Sequence, residues 1–220
     1  MIEMVLFDLD GTLADTAADL GAALNAVRVE RGLDPIELGP LRAAIGHGTP
    51  AMLRAGLGIA ADAADYDGVR ARFLDLYAAR VAAATTLFPG IAELLDELDS
   101  RDVTWGVVTS KPMRFTEPLL AALGLATRAA CVVGGDTLAQ RKPDPQPLVH
   151  AARLAAALPA HCVYLGDAAS DVAAARAAGM RALVAGWGYF APDDDPRRWG
   201  ADAVLAAPRH LGSWLLVHGG

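Results

Sequence analysis

"VLFDLDGTLADT", residues 5–16, decides how the rest of the chain is read. A short apolar run ends in two carboxylates, Asp8 and Asp10, and a glycine follows directly at position 11. Short apolar runs bounded by polar residues are the pattern of a buried strand, and burial alone gives no reason for such a strand to end in paired acids. Carboxylates that close cannot both stay ionised cheaply unless a cation lies between them or one holds a proton. Alone, the pair also fits one carboxylate that caps a turn and another in solvent.

The same run shape recurs in "VTWGVVTS" (103–110), "ACVVGGD" (130–136), "CVYLGD" (162–167) and "ALVAGW" (182–187). Between these lie Ala- and Leu-rich segments of helical length: "GIAELLDELDS" (90–100), "FTEPLLAALGL" (115–125), "PLVHAARLAAAL" (147–158) and "SDVAAARAAGM" (170–180). Strand and helix in alternation with short connections predict an α/β fold, a Rossmann-like doubly wound parallel sheet covered by helices. Ligands of such sheets bind at the carboxyl ends of the strands, where this chain places Asp8, Asp10, Thr109, Ser110, Asp136 and Asp167. Residues 15–87 break the rhythm with helical patches only, so an α-helical domain is expected at 15–87, inserted into an α/β core of 1–14 and 88–220. The "LFPG" at 87–90 reads as the return point, with Pro89 opening the next helix. "DDDPRRWG" (193–200) reads as a turn-rich loop before a last strand, and Trp187 and Trp199 as packing anchors.

Composition narrows the classes. The 220 residues suffice for a large core with a smaller appendage, and 54% hydrophobic with 20% charged residues excludes a disordered chain. No run of about 18 apolar residues and no export signal occurs, so a cytoplasmic protein with no membrane partner is expected. The net charge of -7, without a Lys/Arg cluster, argues against nucleic acid as partner. Cys131 and Cys162 lie in apolar runs and read as buried free thiols.

A second acidic pair stands in "GDAASD" (166–171): Asp167 ends a strand, and Asp171 follows four residues later, expected on the same face of the first helical turn. Three or four carboxylates converging on one sheet edge call for a divalent cation, and an all-oxygen set selects Mg²⁺. A metal so held commonly serves phosphate. Thr109 in "VVTSK", with the backbone N–H groups after it, can hold phosphoryl oxygens, and Lys142 in "QRKPDP" can neutralise phosphate and nucleophile together.

With D-x-D, T, K and D-x3-D in this order on successive loops, the sequence resembles the haloacid dehalogenase superfamily of phosphatases over essentially its whole length. "FDLDGTLADT", "VVTSK", "KPDP" and "GDAASD" are similar to the four motifs of that family, and the insertion after the first looks like its small helical cap. The resemblance implies an aspartyl-phosphate mechanism on a small phosphate ester. Asp8 would be the nucleophile and Asp10 the general acid and base. Thr109 and Lys142 would hold the phosphoryl group. Asp8, Asp167 and the backbone carbonyl of Asp10 would bind Mg²⁺, with Asp171 as a further ligand or as support. Ser110 stands where many relatives are expected to carry Asn, which touches substrate contacts rather than the chemistry. Lys111, and His47 and Arg54 in "IGHGTPAMLRAG", are candidate substrate contacts, with solvated surface residues as the other reading of each. The match is closest to the phosphoglycolate phosphatase group. The tail "GYFAPDDDPRRWGADAVL" also resembles phosphatases of N-acetylmuramic acid 6-phosphate. A dehalogenase would not need Asp10 or the metal, and a phospho-accepting signalling domain would lack the insertion. Oligomeric state, monomer or homodimer, stays open.

Overall fold

β1 (Met4–Phe7) is buried at every position because it runs through the middle of a parallel sheet and meets apolar side chains on both faces. The computed structural model to which it belongs describes residues 2–218. After β1 the chain turns at Gly11, whose φ of 81° is left-handed and suits glycine. It then passes through β2 (Ala14–Asp15) into α1 (Ala17–Glu30), α2 (Leu38–Gly46), α3 (Gly48–Leu57) and α4 (Tyr66–Ala78). β3 (Thr86–Leu87), which pairs with β2, ends this excursion. The alternating part follows: α5 (Ile91–Ser100), β4 (Thr104–Val108), α6 (Met113–Ala122), β5 (Val132–Val133), α7 (Gln146–Leu154), β6 (Cys162–Gly166), α8 (Ala169–Ala177) and β7 (Arg181–Ala185). β8 (Ala203–Leu205) and α9 (Arg209–His218) complete it.

The six-stranded sheet has the order β5-β4-β1-β6-β7-β8, and its pairings are parallel. The chain builds outward from β1 to one side and then from β6 to the other, so the strand order reverses beside β1. Phe7 lies opposite both Val107 and Leu165, which brings out Asp8, Thr109 and Asp167 from neighbouring strand ends. Beneath them the core is held by Phe7 packed edge-on against Trp105, whose indole N–H donates to Asp99 at 2.7 Å.

Several boundaries differ from the sequence expectation. The strand expected over 130–136 pairs only at Val132–Val133, because Gly134 and Gly135 turn away to pack on the loop after β4. Pro89 does not open α5: Gly90, at φ 89°, precedes its first residue, Ile91. Asp167 does not share a helical turn with Asp171, since α8 begins only at Ala169. The last strand, β8, follows the 193–200 loop, and α9 had no counterpart in the sequence reading.

The chain divides into two compact units. One runs up to Ala14, through Leu87–Gly188 and on from Asp195; it contains the six-stranded sheet. The other comprises Asp15–Thr86 together with Tyr189–Asp194. This last segment was expected with the sheet, but hydrogen bonding draws it to the helices. The Tyr189 hydroxyl donates to Asp15 Oδ1 at 2.7 Å, Arg42 pairs with Asp15 Oδ2 at 2.8 Å, and Gly46 leaves room for the Tyr189 carbonyl, 2.8 Å from where a Cβ would sit. Burial would raise the Asp15 pKa, but the Arg42 and Tyr189 hydrogen bonds prevail and hold it below the usual carboxylate value.

Within the helical unit the fully buried Asp19 clamps the end of the insertion to the start of α1. It accepts from the Thr85 hydroxyl at 2.8 Å and from the Thr85 and Ala84 N–H groups at 2.9 Å, with Arg80 3.5 Å away. Asp19→Ala strands three buried or half-buried donors and is expected to cost about 3–5 kcal/mol in urea denaturation. A loss below about 1 kcal/mol would show that water replaces the carboxylate at this site.

Both cysteines are buried and unpaired, and burial pushes each thiol up to about 11. Among the described residues no helix is long and apolar enough to cross a membrane.

Candidate active site

The parallel register delivers Asp8, and its backbone N–H donates to Leu165 O at 2.9 Å, which fixes where the carboxylate leaves the sheet. Oδ1 of Asp8 accepts from Lys142 Nζ at 3.0 Å. Lys142 comes from the loop between β5 and α7 and is 3% exposed; its ammonium also meets Asp171 Oδ1 at 2.6 Å and the Tyr164 hydroxyl at 2.8 Å. Asp171, third residue of α8, uses Oδ2 to accept the Ala168 N–H at 3.0 Å and so caps the helix. Two glycines make room: a Cβ at Gly166 would lie 2.3 Å from Asp171 Oδ2, and one at Gly188 would lie 2.2 Å from Asp167 Cβ.

Asp8, Asp167 and Asp171 are all buried, and each offers a carboxylate oxygen within 4.8 Å of the others. Burial raises the Asp8 pKa to about 6; Lys142 opposes this, while Asp171 and Asp10 reinforce it. Burial would lower the Lys142 pKa, yet Asp171 and Asp8 more than offset it and raise it well above the ordinary lysine value. Three buried carboxylates thus share one buried ammonium, which contacts two of them. Hard, clustered oxygen donors of this kind fit a divalent cation.

Asp10 stands outside this group of three. Its two oxygens accept from Lys111 Nζ at 2.8 and 3.0 Å, and the Lys111 side chain is 6% exposed. The alternative of a solvated Lys111 is therefore set aside: the ammonium faces Asp10. Thr109 is buried, and its hydroxyl accepts the Lys111 N–H at 3.1 Å, which curls the loop back on itself. Ser110 is exposed at the tip of that loop. Gly135 lies against the Ser110 backbone, where a Cβ would come within 2.1 Å of its carbonyl oxygen. Asp136, a strand-end acid in the sequence reading, serves the first turn of α6 by accepting the Met113 N–H at 2.8 Å. Trp187 donates to Thr12 O at 3.0 Å and pins the turn that follows Asp10. His47 and Arg54 belong to the helical unit, both exposed; His47 lies between α2 and α3 with Nε2 3.9 Å from Asp194.

The model of one family, haloacid dehalogenase-like hydrolase, matches residues 5–185. The chain belongs to that family. Its relatives among haloacid dehalogenase-like hydrolases include a phosphoglycolate phosphatase of Xylella fastidiosa, 44% identical over 207 residues, which covers 94% of this chain and 90% of the relative. They also include an N-acetylmuramic acid 6-phosphate phosphatase of Pseudomonas putida, 39% identical over 210 residues, covering 96% and 94% of the two chains. The crystal structure of CbbY from Rhodobacter sphaeroides in complex with phosphate superposes with a TM-score of 0.76 at 26% identity, covering 96% of this chain and 97% of that one.

Sequence reading brought Asp8, Asp10, Thr109, Lys142, Asp167 and Asp171 into consideration within this haloacid dehalogenase-like fold. It missed Tyr164, which touches Lys142, and it missed that Lys111 and Asp10 form a pair. A tyrosine in the middle of a run that must be buried was the one available sign of the first, because a buried phenol needs a hydrogen-bond partner.

Proposed function

We propose that this protein is a Mg²⁺-dependent phosphomonoesterase that hydrolyses a small phosphorylated metabolite through an aspartyl-phosphate on Asp8, and that 2-phosphoglycolate is its substrate. The observation that carries this reading is the buried Asp8 carboxylate, held by Lys142 inside a group of three acids, with Asp10 two residues on and bound to a lysine of its own. Family membership and the two phosphatase relatives support it.

Asp8 attacks phosphorus in line with the leaving oxygen, and Lys142 keeps its carboxylate turned toward the substrate. Asp10 protonates the leaving alcohol and then takes a proton from the water that cleaves the acyl phosphate. Lys111, on both oxygens of Asp10, fixes the direction of that carboxyl group, so a contact to the substrate's own carboxylate is not assigned to it. The Thr109 hydroxyl and the Ser110 N–H after it hold phosphoryl oxygens, as does Lys142. Asp8, Asp167 and the Asp10 carbonyl would hold Mg²⁺. Asp171, with its oxygens already accepting from Lys142 and Ala168, would support them. When bound, the cation supplies positive charge against the phosphoryl oxygens. The helical unit would serve as the cap, with exposed His47 and Arg54, and Ser110 on the core, as substrate contacts.

The second reading, an N-acetylmuramic acid 6-phosphate phosphatase, is favoured by the Pseudomonas putida relative, which matches nearly the whole chain. Steady-state phosphate release from 2-phosphoglycolate, N-acetylmuramic acid 6-phosphate and common sugar phosphates, each with Mg²⁺ and with chelator, separates the two. Release that needs Mg²⁺ and favours 2-phosphoglycolate in kcat/KM by about tenfold or more is expected. Preference for the amino sugar phosphate would replace the first reading by the second, and no release from any ester by folded protein would overturn both.

A further inference from the structure

We propose that Tyr164 is a positioning residue that fixes Lys142, and through it the Asp8 carboxylate, by means of its hydroxyl group. The inference rests on the reading of Asp8 and Lys142 given above. Tyr164 is fully buried on β6, where it pairs with Leu6 of β1, and its hydroxyl donates to Val108 O on β4 at 2.7 Å. Because β1 lies between β6 and β4, the phenol spans the strand that ends in Asp8. A hydroxyl has one hydrogen. With it committed to Val108, the lone pairs face Lys142 Nζ, 2.8 Å away.

An ammonium has three hydrogens, and Lys142 has three acceptors within 3.0 Å, Asp171 Oδ1 at 2.6 Å, Tyr164 Oη at 2.8 Å and Asp8 Oδ1 at 3.0 Å, with Val108 O farther off at 3.5 Å. Two of these are acids, and Tyr164 is the neutral one. A further acid here would add to the repulsion among Asp8, Asp167 and Asp171, while an apolar group would leave that N–H only the longer contact to Val108 O. A phenol whose proton is held elsewhere avoids both, and it balances the pull of Asp171, which is nearer to the ammonium than Asp8 is. Without the hydroxyl, Lys142 is free to settle on Asp171 and loosen from Asp8. Any role limited to filling space belongs to the ring, which Phe retains.

Tyr164→Phe is therefore expected to lower kcat by about 10–100-fold while KM stays within about twofold. The same variant should bind beryllofluoride, a phosphoryl mimic that adds to the carboxylate of Asp8, more weakly by a comparable factor, read by ¹⁹F NMR in the presence of Mg²⁺. A double-mutant cycle gives the decisive contrast. On a Lys142→Met background, removal of the hydroxyl should cost less than about twofold in residual activity and beryllofluoride affinity, since it acts through Lys142, whereas a packing role would cost the same on both backgrounds. Unchanged kcat and beryllofluoride affinity in Tyr164→Phe, equal losses on both backgrounds, or a loss that only follows a fall in melting temperature would each overturn the proposal. If wild-type protein neither hydrolyses phosphate esters nor takes up beryllofluoride, the reading of Asp8 fails first and this one with it.

Discussion

Asp8→Asn is expected to release no measurable phosphate from any ester, a loss of at least about four orders of magnitude in kcat, while the protein stays folded. The amide keeps the shape of the carboxylate and still accepts from Lys142, but it cannot attack phosphorus. The stability side has a definite sign. Burial raises the Asp8 pKa from 3.8 to about 6 in the folded protein. The folded state gains from that proton below the unfolded pKa, and the gain is lost as pH rises through about 6. With chelator at pH 7–8 the ionised carboxylate thus burdens the fold, and Asn lifts a burden of about 1–3 kcal/mol at most. The variant should melt at or above the wild-type temperature without metal and gain less from added Mg²⁺. Turnover by Asp8→Asn near the wild-type rate would sink the covalent mechanism.

Asp10→Asn is the second large effect, and it touches stability in the opposite direction. Loss of a general acid and base costs about 10²–10⁴ in rate. In addition, Lys111, which is buried and donates to both oxygens of Asp10, meets an amide there in place of a carboxylate. A buried cation that loses its anion destabilises by about 3–5 kcal/mol, less whatever the amide recovers. Asp10→Asn should therefore unfold at lower urea than Asp8→Asn, although the two substitutions are chemically the same and two residues apart. Adding Lys111→Met should restore much of the stability and none of the activity. If Asp10→Asn were as stable as wild type, the ion pair would be solvated; if the double variant regained turnover, Asp10 would not be the proton carrier.

Much of this site was legible because its chemistry is local. Each of Asp8, Thr109 and Asp167 follows an apolar run, and a parallel sheet aligns the ends of such runs without help from the rest of the chain. What could not be read depends on partners far along the chain. Tyr164 meets Lys142 across 22 positions and Val108 across 56, and in a buried strand a tyrosine looks like any aromatic core residue. Lys111 read as a substrate contact or as a solvated helix-start lysine, because its partner stands 101 positions away. The four-residue spacing of Asp167 and Asp171 suggested one helical face; the helix starts between them, and Asp171 reaches the cluster as a capping residue. Tyr189–Asp194 follows a sheet strand directly, so contiguity assigned it to the sheet, while its hydroxyl partner Asp15 lies 174 positions earlier. Asp19 drew no notice in an Ala-rich helix because an acid in a first turn is ordinary.

The two thiols provide an internal clock for opening of the sheet. Cys131 lies against the Gly106 backbone just before β5, and Cys162 begins β6 with its sulfur 3.2 Å from Leu158 O. With each thiol pushed up to about 11, roughly one molecule in ten thousand carries a given thiolate at pH 7, and burial keeps even that one from reagent. Alkylation of the native protein therefore counts excursions in which the strands part, at one sulfur on each side of β1. A difference between the two labelling rates would tell which half of the sheet lets go first.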